Sequence, residues 1–235
     1  MKFKVIFDKD TNNNNYYSGW GVSYLIDNKI LFDTGEKSEY TIGNLKKLNV
    51  DIGKIEKIII SHKHWDHTGG LWDLLAINKD IAVFIGSDLA EEFKDKMSNY
   101  NFNLVDKWQK IGQDIYSSGC ISISYKGSDL KEQVLVVRTE KGVSLISGCS
   151  HPGILKFIEE VNKKLYGDKI YAILGGFHLI DKDIRSIKYT VEKIKASNIR
   201  KIGPSHCTGY EAINIFRQFF SEDMLDMQVC SEFEL

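Results

Sequence analysis

Three histidines and an aspartate fall within six positions of this chain. They are His62, His64, Asp66 and His67, in the stretch SHKHWDHTGGL at residues 61–71. Imidazoles two residues apart on an extended or turning backbone can converge on one ion. Asp66 and His67 come from the next turn and point to a neighbouring position. Nitrogen and carboxylate donors suit zinc, iron or manganese; zinc is the ion expected first, as one or two ions. Gly69 and Gly70 let the backbone turn tightly before the next helix. A purely structural role in a buried turn is the competing reading, and four potential ligands in six residues weigh against it.

The other three histidines lie in GCSHPG (His151), GGFHL (His178) and GPSHCTG (His206). Each segment follows an apolar run that reads as a strand. Strand ends with glycine-rich turns are where α/β folds place their chemistry. Histidines used only for packing would be scattered, so this distribution favours one shared site. His151 and His206 are read as metal ligands ahead of capping or packing roles. His178 is a ligand, a donor to substrate or leaving group, or a structural group. Cys149 is a soft ligand or a buried hydrophobe, and Cys207 reads as packing. Tyr16, Tyr17 and Trp20 are either a wall over the site or core filling.

These groups need elements to hold them. Residues 2–8 alternate as a strand, and GVSYLIDNKILFDTG reads as a hairpin about Asp27 and Asn28. A short helix is expected over Thr41–Leu48, a strand over Ile55–Ser61 running into the cluster, and a helix from Leu71 to Ala76. Ile81–Ile85 reads as a strand, and Ser87 as the cap of a helix to Met97. Residues 101–125 should hold strands with turns at Gly112 and Gly119. Gln133–Thr139 and Val143–Ser147 form a second hairpin. Pro152 suits the first turn of a helix to Lys164. A strand over Ile170–Leu174, a helix capped by Asp183, a strand over Ile199–Ile202 and a helix over Tyr210–Phe220 complete the pattern. Two sheets face to face with helices outside fit this rhythm.

The chain has 235 residues, near the upper limit of what one core serves. Its 31 basic and 32 acidic side chains nearly cancel, which disfavours a nucleic-acid partner held by phosphate neutralisation. No stretch of about 18 apolar residues is present, so no membrane span is expected. Four scattered cysteines without a C-x-x-C motif and a start without signal-peptide features point to the reducing cytoplasm. The expected partner is a small-molecule substrate; oligomeric state is not readable.

The H-x-H-x-D-H motif at His62, His64, Asp66 and His67, the upstream LFDTG at residues 31–35 and the late histidine of GPSHCTG resemble the metallo-β-lactamase-fold hydrolases. DHTGGL, SGCSHPGI, GGFHL and PSHCTG together resemble the branch labelled dihydropterin–ribofuranosylaminobenzene phosphate synthase, of methanopterin biosynthesis. The resemblance runs from about residue 20 to 210. It implies an α/β fold, a four-layer αββα sandwich forming a single domain over residues 1–235 from two similar halves, with a two-metal site along one edge. His62 and His64 would hold the first metal, and Asp66 and His67, joined by His206, the second. A hydroxide between the metals would be the nucleophile, oriented by Asp66, and His178 could protonate the leaving group. Asp33 would fix the tautomer of a ligand histidine.

The chain departs from the superfamily pattern after the second hairpin. Cys149 stands where an aspartate bridging the metals is expected, and no histidine precedes the hairpin, where the nearest polar groups are Asp129 and Glu132. His151 could complete the first metal's shell instead. Lys63, between two ligands, either alters the site's charge or points to solvent. The expected function is metal-dependent hydrolysis of an ester, phosphodiester or related small molecule. The alternatives are a pterin-pathway synthase and a non-catalytic metal- or ligand-binding member of the fold. A processing nuclease is disfavoured by the balanced charge, and antibiotic hydrolysis by the absence of an export signal.

Overall fold

The computed structural model describes residues 1–165 and 167–235. Two sheets pack face to face. In the first, β1 (Lys2–Phe7), β2 (Ser23–Ile26), β3 (Ile30–Phe32), β4 (Lys57–Ile59), β5 (Ala82–Ile85) and β6 (Asn101–Leu104) lie side by side in chain order. The pairs from β3 to β6 are parallel, and those from β1 to β3 antiparallel. The second sheet runs, from edge to edge, β14 (Lys201–Ser205), β13 (Ile170–Gly176), β12 (Gly142–Ser147), β11 (Leu135–Thr139), β8 (Ile115–Ser117) and β7 (Gln109–Gly112). Its β12, β13 and β14 are parallel neighbours.

Alternation along the strands explains the layering. Tyr24 and Ile26 of β2 and Leu135 and Val137 of β11 fill the space between the sheets. Leu25, Leu31 and Ile58 point the other way, against Leu45 of α1 (Ser38–Lys47) and Leu71, Leu74 and Leu75 of α3 (Leu71–Ile77). Val136 and Leu145 meet Phe157 of α5 (Ile154–Asn162), Val191 of α6 (Ile184–Ala196) and Phe216 of α7 (Tyr210–Phe220). Both faces of both sheets are covered, so the strands read as nearly continuous apolar runs. This is the expected αββα arrangement. The first hairpin turns through Asp27 and Asn28, both at positive φ, with the Lys29 amide donating to the Ile26 carbonyl at 3.0 Å and Ile26 paired with Ile30. The second hairpin and the Asp183 cap are also as read from the sequence.

Several elements differ from expectation. The strand into the cluster is confined to β4, because Ile52–Lys54 forms a 3-10 turn before it. The turn after β7 uses Asp114, at φ 56°, rather than Gly112. Residues 121–132 form a separate antiparallel ribbon, β9 (Ile121–Tyr125) and β10 (Ser128–Glu132), whose second strand was not anticipated. Ser87 does not cap α4 (Ser87–Met97); it is the first helical residue, and its hydroxyl accepts from Lys131 Nζ at 2.6 Å. Pro152 lies outside α5, which starts only after Gly153 has reversed the chain at φ 96°. The last strand is shifted, to β14. A strand at the C-terminal end, β15 (Glu232–Glu234), pairs with β1, so the first sheet takes a strand from the end of the second half.

The topology decides where chemistry can occur. The carboxyl ends of β3 and β4 open into residues 33–36 and 60–70. Those of β12, β13 and β14 open into residues 148–153, 177–180 and 206–209. Parallel neighbours release their loops at the same end, and these loops meet at one edge of the sandwich.

Candidate metal centre

After β4 the chain passes Ser61, bends at His62 and Lys63, is extended again at His64 and then makes one helical turn, α2 (Trp65–Thr68). That turn puts Asp66 and His67 beside, rather than in line with, the first two histidines. His151 arrives from the loop after β12 and His206 from the 3-10 turn after β14. The result is two donor triads. His62, His64 and His151 have ligand atoms within 4.8 Å of one another, and so do Asp66, His67 and His206. Cys149 lies between them, its Sγ 3.4 Å from His67 Nε2 and grouped with both His62 and His67. All seven residues expected as metal ligands are therefore brought together. His178 stands at the margin, grouped with Cys149 and His151, its Nε2 3.3 Å from the Tyr125 hydroxyl.

Buried oxygen acceptors decide which nitrogen most of these rings present. His67 Nδ1 lies 2.6 Å from Asp33 Oδ2, and Asp33 also accepts from the Ser61 amide and hydroxyl at 2.6 and 2.7 Å. Asp33 thus holds its expected post. The Ser61 hydroxyl has one proton, given to Asp33, so it accepts from His62 Nδ1 at 2.8 Å. His62 Nε2 is left facing His64 Nδ1 at 2.9 Å. Glu132 accepts from the amides of Cys149, Ser150 and His151 at 3.0, 2.6 and 2.7 Å, and from His151 Nδ1 at 3.0 Å. Each of His62, His67 and His151 therefore turns Nε2 to the centre. His206 differs, because the Gly21 amide donates to its Nδ1 at 3.2 Å. For Nε2 of His206 to bind an ion, Nδ1 must carry the proton and the Gly21 amide must yield.

Charge follows the same geometry. Burial would raise the Asp66 carboxyl, but His67 and His206 hold it far below the usual carboxylate range. Burial would lower His67, but Asp33 and Asp66 outweigh it and raise this imidazole well above its ordinary value. The two carboxylates flanking His67 mark a place that favours positive charge. His62 is pushed well down by burial and by its histidine neighbours, and His64 is lowered to about 4 by burial and by His151. Neutral imidazoles are what a metal requires. His206 Nε2 is buried 3.4 Å from Asp66 Oδ2 yet has no hydrogen-bond partner among the described residues. The donor set fits divalent ions.

A cavity of about 540 Å³ opens over both triads, with Trp20, Lys63, Tyr125, Lys126, His178 and Cys207 among its walls. Trp20 lies against His206, ring centres 4.8 Å apart, as a wall residue should. Tyr17 does not: it stacks on Tyr40 of α1 at 5.0 Å, away from the centre, because Gly43 leaves room for its ring there. Tyr16 is half-buried outside the cavity walls. Lys63 points across to the ribbon and donates to the Asp129 carbonyl at 2.7 Å.

With this geometry in view, comparisons place the chain. The metallo-β-lactamase superfamily model matches residues 21–155, more than half of the sequence. The chain belongs to the metallo-β-lactamase superfamily. A Methanocaldococcus jannaschii protein named 7,8-dihydropterin-6-methyl-4-(β-D-ribofuranosyl)-aminobenzene-5'-phosphate synthase is 32% identical to it, over 90% of this chain and 88% of its own length. An uncharacterised protein of the same organism is 31% identical over 92% of this chain and 93% of its own. Among solved structures, one described as a metal-dependent hydrolase of the β-lactamase superfamily superposes with a TM-score of 0.82 at 25% identity, covering 100% of this chain and 99% of its own. YhfI from Bacillus subtilis shares the fold at a TM-score of 0.70 and 14% identity, covering 99% of each chain.

Within this superfamily site the structure adds residues that spacing did not reveal. Glu132 is fully buried at the end of β10. Burial would raise it, but His151 and the backbone amides of the 149–151 loop hold it below its ordinary value. Asp129, the other polar group near that hairpin, is exposed and contributes only its carbonyl. Asp8 is buried behind His206; its Oδ1 accepts from the His206 amide at 3.2 Å and its Oδ2 from Tyr24 and Ser205, both at 2.8 Å. Burial pushes the Asp8 carboxyl up.

Two outcomes follow. Glu132→Gln places an amide N–H₂ or a single carbonyl where four donors now meet a carboxylate, so the 149–151 loop loses acceptors. Zinc affinity, read by chelator competition, should fall about 10- to 100-fold; an unchanged affinity would show that Glu132 does not position His151. Unfolded His64 takes up its proton near pH 6.5, whereas the folded residue does so near 4. Its neutral form therefore contributes stability that is complete above pH 6.5 and is lost as the pH falls toward 4. In metal-stripped protein, the urea-unfolding free energy of wild type relative to His64→Gln should decline across that interval. A difference independent of pH would contradict the assignment.

Proposed function

We propose that this protein is a metal-dependent enzyme acting on a small, electrophilic ester, phosphodiester or related substrate. His62, His64 and His151 would hold one divalent ion, zinc foremost, and Asp66, His67 and His206, with Cys149, a second. The observation that carries this reading is the pair of donor triads sharing one cavity, with three ring nitrogens aimed by buried acceptors. Bound there, such ions supply Lewis acidity and an activated water. The chain's own residues do the rest. Asp66, ionised at any ordinary pH, faces both His67 and His206 and orients the attacking group. The neighbouring Cys207 side chain raises His178 above its ordinary value, which favours the protonated imidazole. Its Nε2, shared with the Tyr125 hydroxyl, is placed to pass that proton to a departing oxygen. Lys63 and Lys126 in the cavity wall favour an anionic substrate, and Trp20 and Tyr125 offer flat faces.

The 32% identity over nearly the whole chain favours a second reading with the same machinery. In it the site serves a pterin-pathway synthase, and an arylamine rather than water is the acceptor. In either reading we place the protein in the cytoplasm, a compartment that suits its four free cysteines; no helix among the described residues is long and apolar enough to cross a membrane.

The two readings separate in one experiment. Metal-free protein is supplied with Zn²⁺, Mn²⁺ or Fe²⁺ and assayed on generic phosphodiesters and thioesters, and in parallel on a pterin pyrophosphate with an arylamine phosphate. Metal-dependent turnover of the first set supports the hydrolase, and coupling of the second pair the synthase. His178→Gln should lower kcat by about 100-fold. Turnover in neither assay with any metal would overturn both.

A further inference from the structure

Cys207 has entered the chemistry so far only as a neighbour of His178, and its sequence neighbourhood suggests packing. Its surroundings do not. Cys207 is 2% exposed and Cys149 4% exposed, yet neither belongs to any of the three apolar clusters of the described residues. The 3-10 turn His206–Thr208 opens with His206 at φ 49° and closes on Gly209 at φ 79°. This tight turn sends two successive side chains, His206 and Cys207, to the same centre. The Sγ atoms of Cys149 and Cys207 and a His206 nitrogen all lie within 4.8 Å of one another. Donors around one zinc are separated by roughly 3–4 Å, given bond lengths near 2.0–2.3 Å, so a small contraction completes the set. Room for the second sulfur is built in: a Cβ on Gly176 would stand 2.7 Å from Cys207 Sγ. Both thiols line the cavity over the metal centre. His206 Nε2, buried and unpartnered among the described residues, is aimed into the same space.

We propose that Cys207 is a metal ligand, and that with Cys149 it gives the Asp66, His67 and His206 ion two sulfur donors. The inference rests on the metal reading of the site. It makes the second position thiophilic: zinc, cobalt(II) and cadmium are favoured there, and manganese and magnesium disfavoured. Sulfur from Cys149 alone would replace the missing bridging carboxylate. Sulfur from both residues gives that ion a different donor chemistry.

The test is spectroscopic and needs no substrate. Full-length protein is stripped, loaded with Co²⁺, and its visible ligand-field bands and near-ultraviolet sulfur-to-cobalt charge-transfer band are recorded. In wild type both appear. Cys207→Ser should lower the charge-transfer intensity by about half while the ligand-field bands persist, and the Cys149→Ser, Cys207→Ser double variant should abolish it. Cys120→Ser and Cys230→Ser, outside the cluster, should leave it unchanged. X-ray absorption on zinc-loaded wild type needs no variant to fold, and should count two sulfur neighbours per chain at about 2.3 Å. A full charge-transfer band in Cys207→Ser, or one sulfur per chain by absorption, overturns the Cys207 assignment and leaves the metal centre standing. Absence of ligand-field bands in wild type overturns both.

Discussion

The buried carboxylate of Asp33 holds more of this centre than any other group. It takes the Nδ1 proton of His67 and both donors of Ser61, and through the Ser61 hydroxyl it also sets the tautomer of His62. Two of the rings are therefore oriented by one carboxylate at the end of β3, a strand hydrogen-bonded in parallel to β4. Glu132 does the equivalent work for His151 from the other side, reaching out of the ribbon to collect three loop amides and a ring nitrogen. A buried carboxylate without such partners would be expensive. Here the donors that satisfy it belong to the residues that must be positioned, so stability and preorganisation have one cause.

The two sheets supply different halves of the site. The first delivers Asp33 from the end of β3, and His62, His64, Asp66 and His67 from the β–loop–helix passage after β4. The second delivers Cys149, His151, His178, His206 and Cys207 from the ends of three adjacent parallel strands, β12 to β14. Glycines allow these backbones to close on one another. A Cβ on Gly148 would stand 2.2 Å from Ser61 Oγ and 2.8 Å from Asp33 Oδ2, which is where the two halves of the centre touch. The departure from the superfamily pattern also lies at this seam: Cys149 occupies the midpoint between the triads, with Cys207 behind it.

How much of this was legible in the sequence depended on distance along the chain. His62, His64, Asp66 and His67 are local, so their spacing alone marked a candidate metal site. His151, His178 and His206 were found because each ends an apolar strand in a glycine-rich turn. Glu132 was only a nearby polar group, since it bonds residues 17 to 19 positions away across a ribbon that no spacing rule encodes. Asp8 meets His206 across 198 residues, a contact that only the packed sheets create. The ribbon itself was partly readable: ISISY alternates, and Lys126 and Gly127 at positive φ make a hairpin turn. The Pro152 reading failed for a local reason, because Gly153 reverses the chain first and leaves His151 free of the helix. Nothing in the sequence around Cys207 sets it apart from a packed cysteine, because its approach to Cys149 and His206 is created only by the folded loops.

Anomalous diffraction at the zinc edge on zinc-loaded crystals tests the central claim most directly. The account predicts two peaks in the cavity. One is ligated by His62, His64 and His151, the other by Asp66, His67 and His206 with sulfur, and Asp33 and Glu132 remain on their histidine Nδ1 atoms. Peaks confined to the surface, or an ion held by residues from only one of the two sheets, would contradict it.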